Sequence, residues 1–350
     1  MAEAGILIYG ANGYTGELVA RQARQRGLAP VLAGRGADVE PLARELGFEA
    51  RVFPLDDPSA LDRGLSGIAL VLHCAGPFSR TSRPMADACL RTGTHYADIT
   101  GEASVFESLA ARDAEAKARG LMLLPGAGMD VVPSDCLAAH LKRRLPAAKR
   151  LVLAFASTAG ISRGTATTMI ENLPKGGLVR RGGRLERVPL AWKSRSVDFG
   201  RGPRPCATIP WGDVSTAFHS TGIPDIEVYT PMRRGQLLGL RLLRPFMGLL
   251  AAAPVQAFLK RRVRARGAGP SERARSQGIA LFWGEVEDDA GRRAAARQRT
   301  PEGYTLTALA AVAVAEKVLG GHAPAGFHTP ARAYGPEFIL ELPGCSREDL

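Results

Sequence analysis

The feature that most constrains this chain is a turn with three evenly spaced glycines near its start. A short apolar run, Gly5-Ile6-Leu7-Ile8-Tyr9, leads into Gly10-Ala11-Asn12-Gly13-Tyr14-Thr15-Gly16, and a helical pattern follows from Glu17 to Arg26. This order predicts a strand, a tight turn and a helix whose first turn lacks bulky side chains. Such a helix N-terminus suits a dinucleotide pyrophosphate, because its backbone N–H groups and positive dipole end attract an anion.

Each glycine of the turn has a predicted role. Gly10 allows the sharp turn, Gly13 lets the backbone approach the phosphates, and Gly16 lets the helix pack closely on the strand. The spacing is GxxGxxG rather than the GxGxxG of the standard fingerprint. A strand–helix turn that binds nothing is therefore the alternative interpretation.

The end of the next predicted strand indicates which dinucleotide binds. Pro30-Val31-Leu32-Ala33 ends in Gly34-Arg35, where NAD enzymes commonly have an acidic residue that accepts a hydrogen bond from the ribose 2′-hydroxyl. This strand end has no acid, and the guanidinium of Arg35 offers a fork of donors to a 2′-phosphate. We therefore predict NADP(H) as the cofactor, with a solvated surface arginine as the alternative.

Length and cysteine usage narrow the class of protein. The 350 residues suffice for two domains with a sizeable core. The five cysteines form no CxxC pair and the six histidines form no HxxxH pair, so we predict reduced thiols and no metal site. The first residues lack a basic region followed by an apolar run, and we expect a cytoplasmic protein without a signal peptide.

The positive charge is concentrated in the middle of the chain. The whole chain has a formal net charge of +12, whereas residues 231–275 contain eleven Lys and Arg and a single acid. Residues 175–204 contain nine Lys and Arg and two acids. These two segments have more positive charge than the whole chain, so the rest of the chain, which includes the nucleotide-binding part, is mildly acidic. This asymmetry predicts an anionic partner surface.

The hydrophobic pattern predicts an α/β fold. Strands and helices alternate over residues 1–128, which indicates a doubly wound parallel sheet of the Rossmann type. Short β-rich segments over residues 151–230 indicate a mixed or antiparallel sheet in a second, α+β domain. Near the C-terminus we predict a helix from Tyr304 to Leu319 and an edge strand within Gly335 to Leu342.

Several segments, in order along the chain, carry a resemblance to a known family. Besides the glycine turn they are Ala33-Gly34-Arg35, Cys74-Ala75-Gly76-Pro77-Phe78, Gly93-Thr94-His95-Tyr96-Ala97-Asp98-Ile99-Thr100-Gly101-Glu102, Gly126-Ala127-Gly128-Met129-Asp130-Val131-Val132-Pro133-Ser134-Asp135, Ser162-Arg163-Gly164-Thr165 and Gly303-Tyr304-Thr305. With them the chain resembles the saccharopine dehydrogenase-like NADP-binding oxidoreductases. Within that family it resembles the trans-acting enoyl reductase branch more than the saccharopine reductases.

The resemblance implies a domain organisation. A Rossmann dinucleotide-binding domain is expected over residues 1–128, and a second α+β domain over residues 129–300 is expected to carry the substrate. The basic, apolar segment 231–275 lies within that second domain. Residues 301–350 are expected to form a C-terminal helix and tail that return to the first domain.

Polar residues at three predicted strand ends are candidates for the site. The resemblance places Ala75-Gly76-Pro77-Phe78 near the nicotinamide side of the cofactor, although a simple strand-ending turn also explains this segment. Alternation puts Tyr96, Asp98 and Thr100 on one face of a strand. Tyr96 or Asp98 could supply or relay the proton that reduction of a double bond requires. We predict Thr100 as the cap of a helix that begins near Ala103.

The candidate catalytic residues come from three segments. Asp130 belongs to a glycine-rich crossing into the second domain and is expected to face the nicotinamide, whereas Ser134 and Asp135 are expected at a helix start. The resemblance makes Tyr304 a cleft-lining candidate. We predict Asp130, Tyr96 and Tyr304 as the catalytic set. Ser162 to Thr165 either binds a substrate anion or forms an ordinary N-cap.

The basic, apolar segment 231–275 allows two interpretations. Its arginines and Pro254 interrupt the apolar run, so it does not predict a transmembrane span. One interpretation is an amphipathic lid whose arginines meet an acidic carrier protein or an anionic lipid, and the other is a packed helix pair with a solvated basic face. Only Phe246 and Phe258 interleave with the basic residues, so a nucleic-acid partner is not expected.

Together these features predict an NADPH-dependent oxidoreductase. We expect it to reduce a C=C or C=N bond of an apolar or carrier-bound substrate, as a trans-acting enoyl reductase would. One alternative is an amino-acid or imine reductase closer to saccharopine reductase. Another is a non-catalytic NADP-binding protein associated with a lipid or a partner. A homodimer and a peripheral membrane location are left open.

Overall fold

The chain forms two compact units. A computed structural model describes residues 5–158, 160–264 and 269–350. The first unit extends to Val132 and includes Tyr304–Pro343, and the second comprises Pro133–Gly303 and Gly344–Leu350.

Strands and helices alternate through the N-terminal part of the first unit. In chain order they are β1 (Gly5–Tyr9), α1 (Tyr14–Gln25), β2 (Val31–Gly34), α2 (Glu40–Leu46), β3 (Ala50–Val52), α3 (Pro58–Gly64), β4 (Ile68–His73), α4 (Phe78–Thr92), β5 (His95–Asp98), α5 (Ala103–Ala110), α6 (Asp113–Ala118) and β6 (Met122–Leu124).

The second unit has a larger share of strands. Its elements up to Gly303 are α7 (Val132–Arg144), β7 (Arg150–Ser157), α8 (Arg163–Asn172), β8 (Gly177–Arg181), β9 (Arg184–Val188), β10 (Ser194–Asp198), β11 (Pro203–Thr208), α9 (Asp213–Thr221), β12 (Asp225–Pro231), α10 (Arg234–Leu242), α11 (Met247–Ala251), α12 (Ala253–Arg264), α13 (Glu272–Gln277), β13 (Ile279–Glu287) and β14 (Arg293–Pro301). The remaining elements are α14 (Gly303–Leu319), β15 (Gly326–Phe327) and α15 (Pro330–Tyr334) in the first unit and β16 (Ser346–Asp349) in the second.

The sheet of the first unit is parallel, as the alternating pattern predicted. Its seven strands run in the order β15-β6-β5-β4-β1-β2-β3. Strand order reverses between β1 and β4, and Tyr9 pairs with His73, so both strands end at the same level. Ligands of doubly wound sheets bind beyond the carboxyl ends of the strands at such a switch point.

Burial of apolar strands on both faces stabilises this sheet. Leu7, Ile8 and Tyr9 in β1 and Leu70 and Val71 in β4 are almost entirely inaccessible to solvent. Continuous burial is typical of a parallel sheet covered by helices on both sides. The ends of these strands are therefore held rigidly, which positions the loops that follow them.

The sheet of the second unit is mixed, which confirms the predicted fold class. Its main path is β10-β11-β12-β7-β13-β14-β16, and β8 joins it through β12 and pairs with β9. The β12–β7 pair is parallel, and the long hairpin of β13 and β14 is antiparallel. No helix among the described residues is long and apolar enough to cross a membrane.

Two predicted boundaries are wrong. Helix α1 begins at Tyr14 rather than Glu17, because Gly13 has the extended backbone of an N-cap and its carbonyl already accepts a hydrogen bond from the Glu17 amide. The segment from Gly335 to Leu342 forms a short 3-10 turn over Phe338–Glu341 instead of an edge strand. Phe338 and Ile339 are buried there, so the apolar pattern reflects packing, and the edge strand is β16.

Candidate functional site

The glycine turn folds tightly between β1 and α1. Gly10 has a left-handed φ of +83°, and its amide donates to the Ala33 carbonyl of β2 at 2.7 Å. A Cβ on Gly16 would lie 2.2 Å from the Gly10 carbonyl oxygen, so helix α1 meets the turn at a distance that only glycine permits. The start of α1 is thereby held directly beyond the end of β1, which is the arrangement that a pyrophosphate cradle needs.

The turn after β4 lies against the glycine turn. A Cβ on Gly10 would lie 2.9 Å from the Ala75 amide nitrogen, and the Cys74 amide donates to the Tyr9 carbonyl at 2.8 Å. The Gly76–Pro77 peptide bond is cis, and the Thr81 hydroxyl donates to the Ala75 carbonyl at 2.6 Å. The structure thus brings the predicted cofactor segments Gly10–Gly16 and Ala75–Phe78 together at the switch point.

Arg35 follows β2 and is exposed, as a residue that binds a phosphate should be. Burial raises the pKa of the Tyr9 hydroxyl to about 12, and the positive charge of Arg35 lies close enough to oppose this rise. The strand end also carries an acid that sequence reasoning missed. Asn12 of the glycine turn donates to the Asp38 carboxylate at 2.5 Å, so Asp38 stands beside the turn.

Glu102, one of the polar residues at the predicted strand end, contacts the start of α4. Its carboxylate accepts hydrogen bonds from the amides of Phe78 at 2.8 Å and Ser79 at 3.2 Å, and it thereby satisfies the N-terminus of α4. The predicted helix cap at Thr100 is wrong, because the N-cap residue of α5 is Glu102. The Thr100 hydroxyl instead accepts from the Glu102 amide at 3.0 Å and fixes the turn that aims Glu102 at α4.

Asp98 connects three segments at the end of β5. Its buried carboxylate accepts from the Tyr96 hydroxyl at 2.6 Å, the Thr100 amide at 2.9 Å and the Gly126 amide at 3.0 Å. Burial raises the pKa of Asp98 to about 6 against these three hydrogen bonds. The shared strand face of Tyr96 and Asp98 is confirmed by their contact, and the arrangement ties the loops after β5 and β6 together.

Tyr96 lies in the core rather than at a surface. Its side chain is fully buried, and burial together with the nearby Asp98 charge raises its pKa well above the ordinary value. His73 is buried beside it, with the ring centroids 6.2 Å apart, and burial lowers the pKa of His73 to about 3. His73 is therefore neutral at physiological pH and brings no positive charge to Asp98.

Asp130 lies in the loop after β6, next to the loop after β5. A Cβ on Gly101 would lie 2.7 Å from an Asp130 carboxylate oxygen, and burial raises the pKa of Asp130 to about 6. The same loop is fixed to α14, because the Met129 amide donates to the Thr307 hydroxyl at 3.1 Å. Two carboxyl groups with raised pKa, Asp98 and Asp130, therefore belong to adjacent loops of the first unit.

Tyr304 lies in the first turn of α14 and contacts the glycine turn. Its ring packs edge-on against that of Tyr14, with centroids 5.0 Å apart. The structure thus places Tyr304 beside the predicted phosphate cradle and Asp130 beside Gly101, whereas Tyr96 is enclosed in the core.

The candidates in the second unit make structural contacts. The Ser162 hydroxyl accepts from the Thr165 amide at 3.2 Å as the N-cap of α8. Ser134 and Asp135 lie in the first turn of α7, which confirms the predicted helix start, and both contact α9: Ser134 donates to Asp213 at 2.7 Å, and Asp135 accepts from Ser220. Within the part of the chain that the structure describes, no group of three His, Cys, Asp or Glu side chains could hold a metal ion.

Comparisons with known proteins agree with this geometry. Residues 6–124 match the family model of the saccharopine dehydrogenase NADP-binding domain. A trans-acting enoyl reductase of Mycobacterium leprae is 36% identical over 149 residues, which are 40% of this chain and 36% of that protein. A trans-acting enoyl reductase of Mycobacterium ulcerans is 30% identical over 217 residues, which are 57% of this chain and 52% of that protein.

A solved structure extends the likeness to the whole fold. Apo saccharopine dehydrogenase (L-Glu forming) from Saccharomyces cerevisiae matches 99% of this chain and 100% of its own at a TM-score of 0.67 and 13% identity. At that identity the match shows the fold alone. The matched regions span about half or less of the length of the two mycobacterial relatives. The resemblance predicted from the motifs is confirmed over residues 6–124, which match the model of the saccharopine dehydrogenase NADP-binding domain.

Proposed function

We propose that the chain is an NADPH-dependent reductase that acts on a C=C or C=N bond of an apolar or carrier-bound substrate. The observation that carries the proposal is the cradle at the switch point, in which a Cβ on Gly16 would overlap the turn and Arg35 stands exposed beyond β2. The names of the mycobacterial relatives favour an enoyl group, and hence C=C reduction, over an imine.

The residues of the cradle would hold the dinucleotide. The amides at the start of α1 would bind the pyrophosphate, and the guanidinium of Arg35 would bind the 2′-phosphate. Asp38 is held by Asn12 and so cannot turn freely toward the ribose. The bound cofactor would supply a hydride, and orientation is the task of the protein.

Reduction of a C=C bond also needs a proton on the second carbon. Asp130 is the group that we assign to this task, because burial raises its pKa to about 6 and it therefore keeps a proton at higher pH than a solvated carboxyl. Asp98 and Tyr96 act as positioning residues, since their mutual hydrogen bond and burial keep them from contacting a substrate. Tyr304 would line the site beside the glycine turn.

Two measurements test the proposal. Oxidation of NADPH is followed at its absorbance maximum with enoyl thioesters of increasing chain length and with cyclic imines. The expected result is turnover with an enoyl thioester that falls at least about a hundredfold in Asp130→Asn, the loss typical of a missing general acid. Absence of turnover with every enoyl thioester and imine, while NADPH still binds, would instead favour a binding protein.

The second measurement concerns the cofactor. Arg35→Ala should raise the Kd of NADPH about tenfold to a hundredfold, the worth of a charge-assisted hydrogen bond, and leave the Kd of NADH unchanged. Arg44→Ala is the matched control, because Arg44 is exposed in the last turn of α2 and lies away from the carboxyl ends of the strands. Equal losses for NADPH and NADH would refute the role of Arg35.

A further inference from the structure

The second unit exposes an unusual number of large apolar side chains over one short stretch. Among the described residues twelve large apolar side chains are exposed, and six of them lie between Leu238 and Phe258. They are Leu238, Leu242, Leu243, Phe246, Leu249 and Phe258, which lie in α10, α11, α12 and the 3-10 turn Arg244–Phe246, with Leu243 between α10 and the turn. We call these six side chains the apolar patch. Clusters of this kind mark interaction surfaces, whereas single exposed leucines do not.

The opposite side of the segment is anchored to the second unit. The Lys260 ammonium pairs with Glu171 of α8 at 2.7 Å, and the Gln256 side chain donates to the Ile170 carbonyl at 3.1 Å. The Arg244 guanidinium donates to the carbonyls of Leu190 and Ala191, each at 2.9 Å. The 3-10 turn and α12 are therefore fixed to the second unit, and the exposure of Phe246 and Phe258 does not result from a detached segment.

The segment that carries the apolar patch is strongly basic. Residues 231–264 contain eight Lys and Arg and no Asp or Glu. Arg234, Arg241 and Arg261 are exposed, and none has an ion-pair partner among the described residues. Arg234, Leu238 and Leu242 are spaced four residues apart on α10 and so lie along one face of it. Residues 265–268, which include Arg266 of the predicted basic segment, lie outside the described residues.

We propose that α10, α11 and α12 form a docking surface for an anionic lipid membrane. The leucines and phenylalanines of the apolar patch enter the boundary between headgroups and acyl chains, and the exposed arginines bind the lipid phosphates. The segment lies on the membrane without crossing it, since none of the described helices is long and apolar enough to span one. This surface is independent of any turnover at the nucleotide site.

Composition favours a lipid surface over a protein partner. Apart from the cations, Gln236 and Gln256 are the only polar side chains in residues 231–264, so few neutral groups could exchange directed hydrogen bonds. A protein interface commonly has about ten direct hydrogen bonds. A second copy of the chain is disfavoured because a two-fold contact would put the same arginines against each other.

Vesicle flotation with the full chain tests the proposal. The expected result is binding to vesicles of phosphatidylcholine and phosphatidylglycerol in equal parts, weaker binding at high salt, and no binding to phosphatidylcholine alone. Each arginine near the membrane surface contributes about fivefold to the affinity, so the double variant Arg241→Ala with Arg261→Ala should weaken binding about 25-fold. Leu242→Gln with Leu249→Gln should weaken it about tenfold while the charge is kept.

Matched variants elsewhere on the surface serve as controls. Arg44→Ala with Arg63→Ala removes two exposed arginines, and Leu319→Gln with Leu340→Gln replaces two exposed leucines, all in the first unit. These variants should bind as the parent chain does, and all variants should keep the parent melting temperature.

Three results would overturn the proposal. The first is no binding to either kind of vesicle. The second is an equal loss in the patch variants and in the controls. The third is a complex other than that with a membrane, which the double variant Leu242→Gln with Leu249→Gln abolishes. Such a complex would be a dimer in size-exclusion chromatography, or binding to an acidic carrier protein without binding to vesicles. The last result would assign the surface to a second copy or to a protein.

Discussion

Replacement of Gly16 by alanine is the sharpest test of the glycine turn. The added Cβ would lie 2.2 Å from the Gly10 carbonyl oxygen and 2.9 Å from the Ala11 Cα, whereas ordinary contacts begin at 3.4 Å. Both atoms belong to the backbone, so no rotamer change can relieve the overlap, and α1 must move away from the turn by about 1 Å.

The size of the effect follows from this geometry. Overpacking of this kind costs about 1–3 kcal/mol, and about 2–4 °C of melting temperature is lost per kcal/mol in a unit of this size. We therefore expect Gly16→Ala to lower the melting temperature by about 2–12 °C in differential scanning fluorimetry. The displaced amides of α1 should also raise the Kd of NADPH at least about tenfold in a fluorescence titration.

Gly239→Ala provides the matched control. Gly239 lies in α10, and no atom lies within 4 Å of the position that its Cβ would take. Alanine should leave the melting temperature unchanged or raise it slightly, because alanine favours a helix by about 1 kcal/mol over glycine. If Gly16→Ala matched Gly239→Ala in melting temperature and in the Kd of NADPH, the steric argument would be refuted.

Two further predictions concern carboxylates near the site. Glu102→Ala should lower the free energy of unfolding by about 1–2 kcal/mol in urea, because α4 loses the acceptor of its first amides. Glu102→Gln should lower it by about half as much, because the amide oxygen still accepts one hydrogen bond. Equal losses in the two variants would contradict the capping role. Burial raises the pKa of Asp130 from 3.8 to about 6, which disfavours its ionised form in the folded chain. That penalty is absent below about pH 4 and complete above about pH 6, so Asp130→Asn should raise the free energy of unfolding by about 2–3 kcal/mol near pH 8 and leave it unchanged near pH 4. The control is Asp113→Asn. Although Asp113 is partly buried, hydrogen bonds from Lys117 and the Phe327 amide hold its pKa below the usual value, so this variant should lose stability relative to the parent chain as the pH rises. The same pH profile of stability for both variants would contradict the argument from burial.

Much of the nucleotide-binding unit could be predicted from local sequence. The bounds of β1 agree with the apolar run from Gly5 to Tyr9, and the spacing of Gly10, Gly13 and Gly16 indicated the turn. These features depend on backbone conformation and on side-chain alternation within a few residues. The start of α1 was misplaced because Gly13, a residue of poor helix propensity, marks the N-cap rather than a break before the helix.

The contacts of the candidate site could not be predicted in the same way. Glu102 lies 24 positions along the chain from Phe78 at the start of α4, and Asp38 lies 26 positions from Asn12, so neither pair leaves a periodic signal. Tyr96 carries a proton that chemistry could use, yet its place in the sheet encloses it in the core. The two candidate acids therefore differ in access, because the Tyr96 side chain is fully enclosed whereas Asp130 is only half-buried.

The sequence by itself determined the parallel sheet, the glycine cradle and the preference for NADP, because these depend on local periodicity and on residue types at fixed spacing. The tertiary structure alone decided which acids flank the cradle and which face of the basic segment stays exposed. Helical periodicity shows that Leu238 and Leu242 share a face of α10, but only the tertiary structure shows that this face is left uncovered. The physical reason is that register and strand order bring together residues far apart in the chain, and no local pattern encodes which of them will meet.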